Sequence, residues 1–251
     1  MSIIVIGERG VGKTSMVVAL AKNSKKNLSI EDAEALAARR SNIETGEIAG
    51  TSKMTTENLQ INLELPGGAR QINVLWMDTP GEAFSNSDWK QQYPTAWKDI
   101  EQQIKESRGI ILLLPPHRDL VDPNRIDSRT PKDELPSFQA WRNSLESWLK
   151  FFQNNCSQVK HIAICLHRAD TFCDVQTEGK KWRYQNSANG FWIRYDTHIR
   201  NSYFAIVKDL ICNYNSQSQS RVIPQLFITS TDQPSLLELP WIYLGTYIAN
   251  T

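Results

Sequence analysis

The chain lacks several features that would each assign it to a special class of protein. No apolar run reaches the roughly 18 residues that span a bilayer, so no transmembrane helix is predicted. Residues 1–6 carry no basic stretch of the kind that opens a secretory signal. The four cysteines form no C-x-x-C pair, which favours reduced thiols and a cytoplasmic location over disulfides. We also find no internal repeat.

An excess of charge of one sign is missing as well. The 28 Lys and Arg residues nearly balance the 27 Asp and Glu residues and leave a net charge of +1. Proteins held on nucleic acid mainly by phosphate neutralisation need a larger surplus, so we expect no nucleic-acid partner. The 40% hydrophobic content is typical of a globular protein. Eight tryptophans exceed ordinary usage; we assign them mainly to the core, with a protein interface as the alternative.

Short apolar runs alternate with amphipathic stretches along the chain. The runs that predict strands are 3–6, 59–65, 72–78, 110–114, 161–166 and 222–229. Helical spacing of apolar residues is clearest over 138–152, a helix is predicted around 192–214, and a capping-box pattern at 29–32 predicts another up to Arg40. This order predicts a three-layer α/β fold with a mostly parallel six-stranded sheet, one antiparallel edge strand and helices on both faces.

The distribution of motifs predicts one domain over residues 1–251. Two segments exceed what this architecture needs. Residues 115–136 are rich in proline and charge, and residues 171–220 separate two predicted strands. We therefore expect insertions near 115–136 and 171–220.

Residues 7–14 carry a phosphate-binding pattern. They read Gly-Glu-Arg-Gly-Val-Gly-Lys-Thr and match G-x-x-x-x-G-K-[ST] between a predicted strand and a predicted helix. Glycines let successive N–H groups surround phosphate oxygens, and the helix N-terminus adds its positive dipole. Lys13 is predicted to reach the β and γ phosphates, and Thr14 to offer its hydroxyl to Mg²⁺. The other predicted nucleotide contacts are Gly7, Arg9, Gly10, Val11, Gly12 and Ser15.

A second motif ends the predicted third strand. It consists of Asp78, Thr79, Pro80 and Gly81. The carboxylate of Asp78 is suited to holding Mg²⁺ through water, and Gly81 can bring its N–H to a γ-phosphate without an obstructing side chain. Alone, such a stretch is typical of an ordinary turn. Its position after a phosphate loop is what predicts a role in binding Mg²⁺ and phosphate.

These two motifs, with a hairpin whose second strand carries Asp78, make the chain resemble the Ras-like P-loop GTPases of the translation-factor-related class. The resemblance implies a P-loop NTPase fold, GTP and GDP as ligands, Mg²⁺ as cofactor, and a protein effector or activating partner. It also implies a switch threonine that gives the metal a hydroxyl and a carbonyl when GTP is bound. We assign this role to Thr56, with Thr55 and Thr51 as alternatives.

Members of this class read guanine with an N/T-K-x-D motif and a short S-A motif, and both are degenerate here. His167, Arg168, Ala169 and Asp170 follow the predicted fifth strand, and Thr229, Ser230 and Thr231 follow the sixth. The retained carboxylate of Asp170 can accept hydrogen bonds from guanine N1 and N2, and Arg168 can cover a purine face. His167 either ties this loop to the phosphate loop or is a satisfied strand-end histidine. Ser230 and Thr231 either meet guanine O6 or form a polar turn.

The resemblance implies a catalytic group that includes Lys13, Thr56, Gly81 and the residue after Gly81. That residue is Glu82, whose charge a γ-phosphate repels, so it is poorly suited to positioning water. Arg9 is either a cis-acting arginine or a solvent-facing one. We expect slow hydrolysis of GTP without a partner. A nucleotide-binding module with little turnover and a P-loop ATPase are the alternatives.

Overall fold

The computed structural model describes residues 2–8, 10–22, 27–31, 55–78, 87–126, 134–156, 158–185, 190–217, 222 and 224–248, with backbone alone at 2, 55, 56, 77, 78, 87, 89 and 217. The strands in these ranges are β1 (Ser2–Gly7), β2 (Leu28–Ile30), β3 (Thr55–Leu65), β4 (Gly68–Asp78), β5 (Gly109–Leu114), β6 (His161–His167) and β7 (Gln225–Thr229). They form one sheet in the order β2-β3-β4-β1-β5-β6-β7.

Five neighbouring strands, from β4 across β1 to β7, run parallel. Every residue of β5 is buried, and so is every residue of β6 after His161. Strands that are apolar along their whole length suit a parallel sheet because helices cover both of its faces. The predicted α/β fold with a mostly parallel sheet is therefore confirmed.

The predicted hairpin is formed by β3 and β4, with Leu65 opposite Gly68 at the turn. The sheet has seven strands instead of six, because β2 pairs antiparallel with β3. The antiparallel strand β3 thus lies one position inside the edge. Residues 29 and 30 were predicted to open a helix, but Leu28 and Ile30 are buried on either side of exposed Ser29, which is strand periodicity. Residues 32–40 of that prediction lie outside the described ranges.

Helices flank the sheet, and most of them bury apolar residues in its core. They are α1 (Lys13–Lys22), α2 (Ser87–Gln92), α3 (Pro94–Glu106), α4 (Phe138–Asn155), α5 (Val175–Lys181), α6 (Phe191–Ser202), α7 (Lys208–Gln217), α8 (Pro234–Leu237) and α9 (Leu239–Ile248). The predicted helix at 138–152 is confirmed as α4. It begins after Ser137, whose hydroxyl accepts a hydrogen bond from the N–H of Ala140 (3.3 Å), and it buries Trp141, Leu145 and Trp148.

The segment 171–220 builds α5, α6 and α7 beside the last strand. The helix predicted around 192–214 is divided, because the fully buried Phe204 and a 3₁₀ turn at 205–207 separate α6 from α7. The hydroxyl of Tyr195 accepts from the N–H of Ile228 (3.3 Å), and the carboxylate of Asp196 accepts from the N–H of Leu226 (3.4 Å). These side chains occupy donors that another strand would use, so α6 covers the edge of β7.

Most tryptophans serve packing. Trp76, Trp141, Trp148, Trp182 and Trp241 are buried, and Trp97 and Trp192 lie half-buried against the core. The cysteines are free thiols, and three of the four are buried. Across the described ranges, none of the helices has the length and apolar character required to traverse a bilayer.

Candidate functional site

The phosphate-loop pattern lies between β1 and α1, at the carboxyl end of the central strands. Gly10 and Gly12 have φ values of +71° and +98°, where a side chain would be strained. At Gly7 a Cβ atom would lie 2.6 Å from the carbonyl oxygen of Leu113, so the close approach of β5 requires glycine. Val11 is buried and holds the loop onto the core. The described residues of the loop therefore have the glycine-dependent backbone that is typical of anion-binding loops.

Lys13 stands at the mouth of this loop. Its side chain is only 6% exposed, and its Nζ donates to the carbonyl oxygens of Gly7 (2.8 Å) and Glu8 (3.1 Å). These two hydrogen bonds hold the ammonium against the backbone of the loop. Thr14 is half-buried and Ser15 exposed on the first turn of α1, whereas Arg9 lies outside the described residues.

The donors predicted for Mg²⁺ converge on this end of the sheet, as far as the backbone shows. Asp78 ends β4, which runs beside β1, and the register of β3 with β4 puts Thr55 opposite Asp78 and Thr56 opposite Met77. The side chains of Thr56 and Asp78 lie outside the described part, as do Gly81 and Glu82 entirely. The described residues contain no cluster of three or more His, Cys, Asp or Glu side chains that could hold a metal. The hydroxyl and carboxylate oxygens of Thr14, Thr56 and Asp78 are of the type that Mg²⁺ prefers, and water and phosphate oxygens would complete such a site.

The residues predicted to read the base meet at the ends of β6 and β7. Arg168 has a left-handed backbone (φ +62°) and turns the chain into a 3₁₀ turn at 169–171. This turn carries Asp170, whose carboxylate accepts a short hydrogen bond from the hydroxyl of Ser230. The same hydroxyl accepts from the N–H of Asp232 (3.2 Å), while Thr231 is half-buried beside it. The two degenerate motifs therefore form one polar cluster.

His167 connects this cluster to the phosphate loop. Its ring is 2% exposed, and its Nδ1 lies 2.9 Å from the hydroxyl oxygen of Thr229. A Cβ atom built on Gly12 would lie 2.8 Å from both Cδ2 and Nε2 of the ring. Gly12 is thus required twice, for its backbone conformation and for the space that the imidazole fills. The hydrogen bond to Thr229 suits a satisfied strand-end histidine, and the proximity to Gly12 suits a tie between the two loops, so these contacts agree with both interpretations given for His167.

The environment of His167 disfavours its charged form. Burial lowers the pKa of His167 to about 4; Asp170 opposes this change and Arg168 adds to it. The ring is therefore neutral at pH 7, with one nitrogen as donor and the other as acceptor. A neutral imidazole suits a position that faces both a hydroxyl and a phosphate loop.

We expect this buried ring to make the fold sensitive to acid. The ordinary pKa of 6.5 applies in the unfolded chain, so between pH 6.5 and 4 the unfolded state binds the proton that the folded state excludes. The free energy of unfolding should fall by about 2 kcal/mol between pH 7 and pH 5 on account of His167. Urea unfolding of the wild type and of His167→Gln at both pH values measures this difference.

The control for this experiment is His161→Gln, at the half-buried start of the same strand. Burial also lowers the pKa of His161, but that ring is more exposed, so its removal should change the pH dependence less. Equal loss of stability in the wild type and in His167→Gln would contradict the assignment of the acid sensitivity to His167.

Several contacts in the site were not predicted from the sequence. Thr229 had been noted only as the first residue of a motif, yet it is the hydrogen-bond partner of His167. Glu8, an unspecified position of the loop pattern, accepts a hydrogen bond from the hydroxyl of Ser144 on α4. The position of Thr229 directly before Ser230 and Thr231 could have indicated a role for its hydroxyl. Nothing in the sequence indicates that Glu8 contacts α4.

Comparison of the sequence with known protein families agrees with this geometry. The model of the family described as Double-GTPase 1 matches residues 4–164, a range that contains the phosphate loop, the hairpin and α4. His167, Asp170 and Ser230 lie beyond the matched range. No curated protein matches the chain. Because the match covers more than half of the sequence, the chain is a GTP-binding protein that belongs to the Double-GTPase 1 family.

Proposed function

We propose that the protein is a Mg²⁺-dependent switch that binds GTP and GDP and hydrolyses GTP to GDP and phosphate. The observation that carries the proposal is that the loop after β6 contacts the phosphate loop. The ring of His167 lies in the space that a side chain at position 12 would occupy. The distance between these loops decides whether one nucleotide can occupy both. A ring wedged between them keeps both loops in register before any ligand arrives.

At the phosphate end, the backbone N–H groups of residues 10–14 and the ammonium of Lys13 would hold the β and γ phosphates. Mg²⁺, when bound, would neutralise charge on these oxygens, with Thr14, Asp78 and Thr56 as its protein donors. Gly81 would meet the γ-phosphate through its N–H. Loss of that phosphate would release the segments around Thr56 and Gly81, which is how the switch would change state.

At the base end, Asp170 would accept hydrogen bonds from guanine N1 and N2, and the stem of Arg168 would cover the purine face. Ser230 supports this assignment because its hydroxyl already orients the carboxylate of Asp170. Thr231 would complete the pocket next to guanine O6. We propose that all of this belongs to one Ras-like domain over residues 1–251, with 115–136 and 171–220 as insertions.

Hydrolysis in this site would be slow without a partner. Glu82 carries a charge that the γ-phosphate repels, so it is a poor substitute for a neutral residue that orients the attacking water. We propose no cis-acting role for Arg9, at the second variable position of the loop, on the transferred phosphoryl group. A protein partner that supplies the missing group would therefore raise the rate.

Single-turnover assays on the purified full chain test this proposal. We expect GTP to bind tightly in the presence of Mg²⁺ and weakly in EDTA, and to be hydrolysed slowly but measurably. Fast turnover without a partner would contradict the slow-switch proposal, and complete absence of turnover would favour a nucleotide-binding module. Displacement of a fluorescent guanine nucleotide by ATP as efficiently as by GTP would favour an ATPase.

A further inference from the structure

A groove of about 410 Å³ opens beside the phosphate loop, between α3 and α4. We call it the aromatic groove. The side chains that define it are Glu8, Lys90, Trp97, Trp141, Trp148 and Phe151. Its volume lies within the range of about 300–1,000 Å³ that is usual for small-molecule sites. None of the residues proposed to hold the nucleotide lines it.

Three of its rings form a continuous wall. Phe151 meets Trp97 edge-to-face at 6.3 Å between ring centroids and meets Trp148 in the same way at 6.2 Å. Such packing fixes the three rings relative to one another, and all three line the groove. Aromatic faces of this kind attract organic cations.

The protein already places one cation on this wall. The Nζ of Lys90 lies 4.1 Å from the centroid of the Trp97 ring. Partial burial of the ammonium lowers the pKa of Lys90, and the carboxylate of Glu101 opposes this change. The position of Lys90 thus shows that this wall of the groove can hold a positively charged group against an aromatic ring.

The groove also contains an anion. The carboxylate of Glu8 accepts a hydrogen bond from the hydroxyl of Ser144, and both residues line the groove. A carboxylate has about four lone-pair sites and the Ser144 hydroxyl takes one of them, so Glu8 can accept from a further donor. A carboxylate at one end and aromatic faces along the wall define a site for a positively charged, flat ligand.

We propose that the aromatic groove binds a small organic cation, an amidinium or ammonium group on an aromatic body, with the cation on Glu8 and the body against Trp148 and Phe151. Lys90 competes for the same wall as an internal cation. The carbonyl of Glu8 accepts from Lys13, so the ligand would contact the residue that positions the phosphate-loop lysine. Binding itself does not depend on the proposed GTP hydrolysis.

Titration of the full chain with benzamidinium and with its neutral analogue benzamide, followed by calorimetry and ligand-detected NMR without nucleotide, tests this proposal. We expect benzamidinium to bind about tenfold more tightly than benzamide, since it adds a charge-assisted hydrogen bond. Glu8→Gln should remove this advantage. Lys90→Met should strengthen benzamidinium binding severalfold, because it frees a ring face and removes a like charge.

The matched control is Glu146→Gln, which removes a carboxylate of α4 that pairs with Lys150 (2.7 Å) and does not line the groove. It should leave both affinities unchanged. Equal binding of benzamidinium and benzamide would overturn the proposal, as would equal effects of Glu8→Gln and Glu146→Gln. Lys90 lies outside the phosphate loop, so Lys90→Met tests the groove even if Glu8→Gln destabilises that loop. An unchanged affinity of Lys90→Met for benzamidinium would also count against the site.

Discussion

Replacing Lys13 by alanine is expected to lower the affinity for GTP and GDP by at least about 100-fold, equivalent to about 2.7 kcal/mol at 25 °C. The ammonium is nearly buried and already donates to the carbonyls of Gly7 and Glu8. Phosphate oxygens would take over these donors as charge-assisted hydrogen bonds, each worth about 1.5–3 kcal/mol. Titration with a fluorescent GDP analogue in the presence of Mg²⁺ measures the loss.

Lys22→Ala is the control for this variant, because Lys22 is the exposed lysine in the last turn of the same helix. It removes one positive charge without touching the loop and should change the affinity little. Circular dichroism and urea unfolding establish that Lys13→Ala remains folded. A folded Lys13→Ala variant that binds GDP within threefold of the wild type would show that the loop does not carry the phosphates.

The parts of the fold that were predictable are those whose signal lies within one segment. The run 110–114 is apolar at every position and becomes β5, and the stripe from Phe138 to Phe152 becomes α4. The strand β2 was missed because three residues are too few to outweigh a capping-box pattern that overlaps them. The division of the helix around 192–214 depends on the burial of Phe204, a tertiary effect.

The candidate site divides in the same way. Contiguous motifs supplied Lys13, Asp170 and Ser230, because their chemistry follows from residue type and order. The contact of His167 with Gly12 joins residues far apart in the chain, and it follows from the parallel order β1-β5-β6-β7. The hydrogen bond from Ser144 to Glu8 has the same origin, since α4 packs beside the loop only in the folded chain.

Gly12 illustrates that a sequence motif does not predict every constraint on a residue of the site. The loop pattern requires glycine there for the backbone, and the structure adds a second reason, the imidazole that occupies the missing side chain's place. A histidine in the base-reading motif therefore pairs with a glycine in the phosphate motif. We infer that the departure at His167 preserves the distance between the loops.

Asp170→Asn is expected to lower the affinity for GDP by about 100-fold and to shift preference towards xanthosine diphosphate. In the proposed site the carboxylate would accept from guanine N1 and N2, whereas an amide would offer donors that suit the oxygen at position 2 of xanthine. Asparagine has the same shape as aspartate, and Ser230 stays in place to hydrogen-bond its amide oxygen. The measurement is competition of GDP, xanthosine diphosphate and ADP against one fluorescent nucleotide.

Asp174→Asn is the matched control for this change of specificity. Asp174 lies four positions further along the same loop and caps α5 by accepting from the N–H groups of Gln176 and Thr177. Its substitution removes an equal charge near the pocket and should leave the preference for guanine intact. An Asp170→Asn variant that keeps the wild-type order of affinities would show that another group reads the base. Because Lys13→Ala reports the phosphate end separately, that result would leave the phosphate-loop assignment standing and would refute the base-reading one.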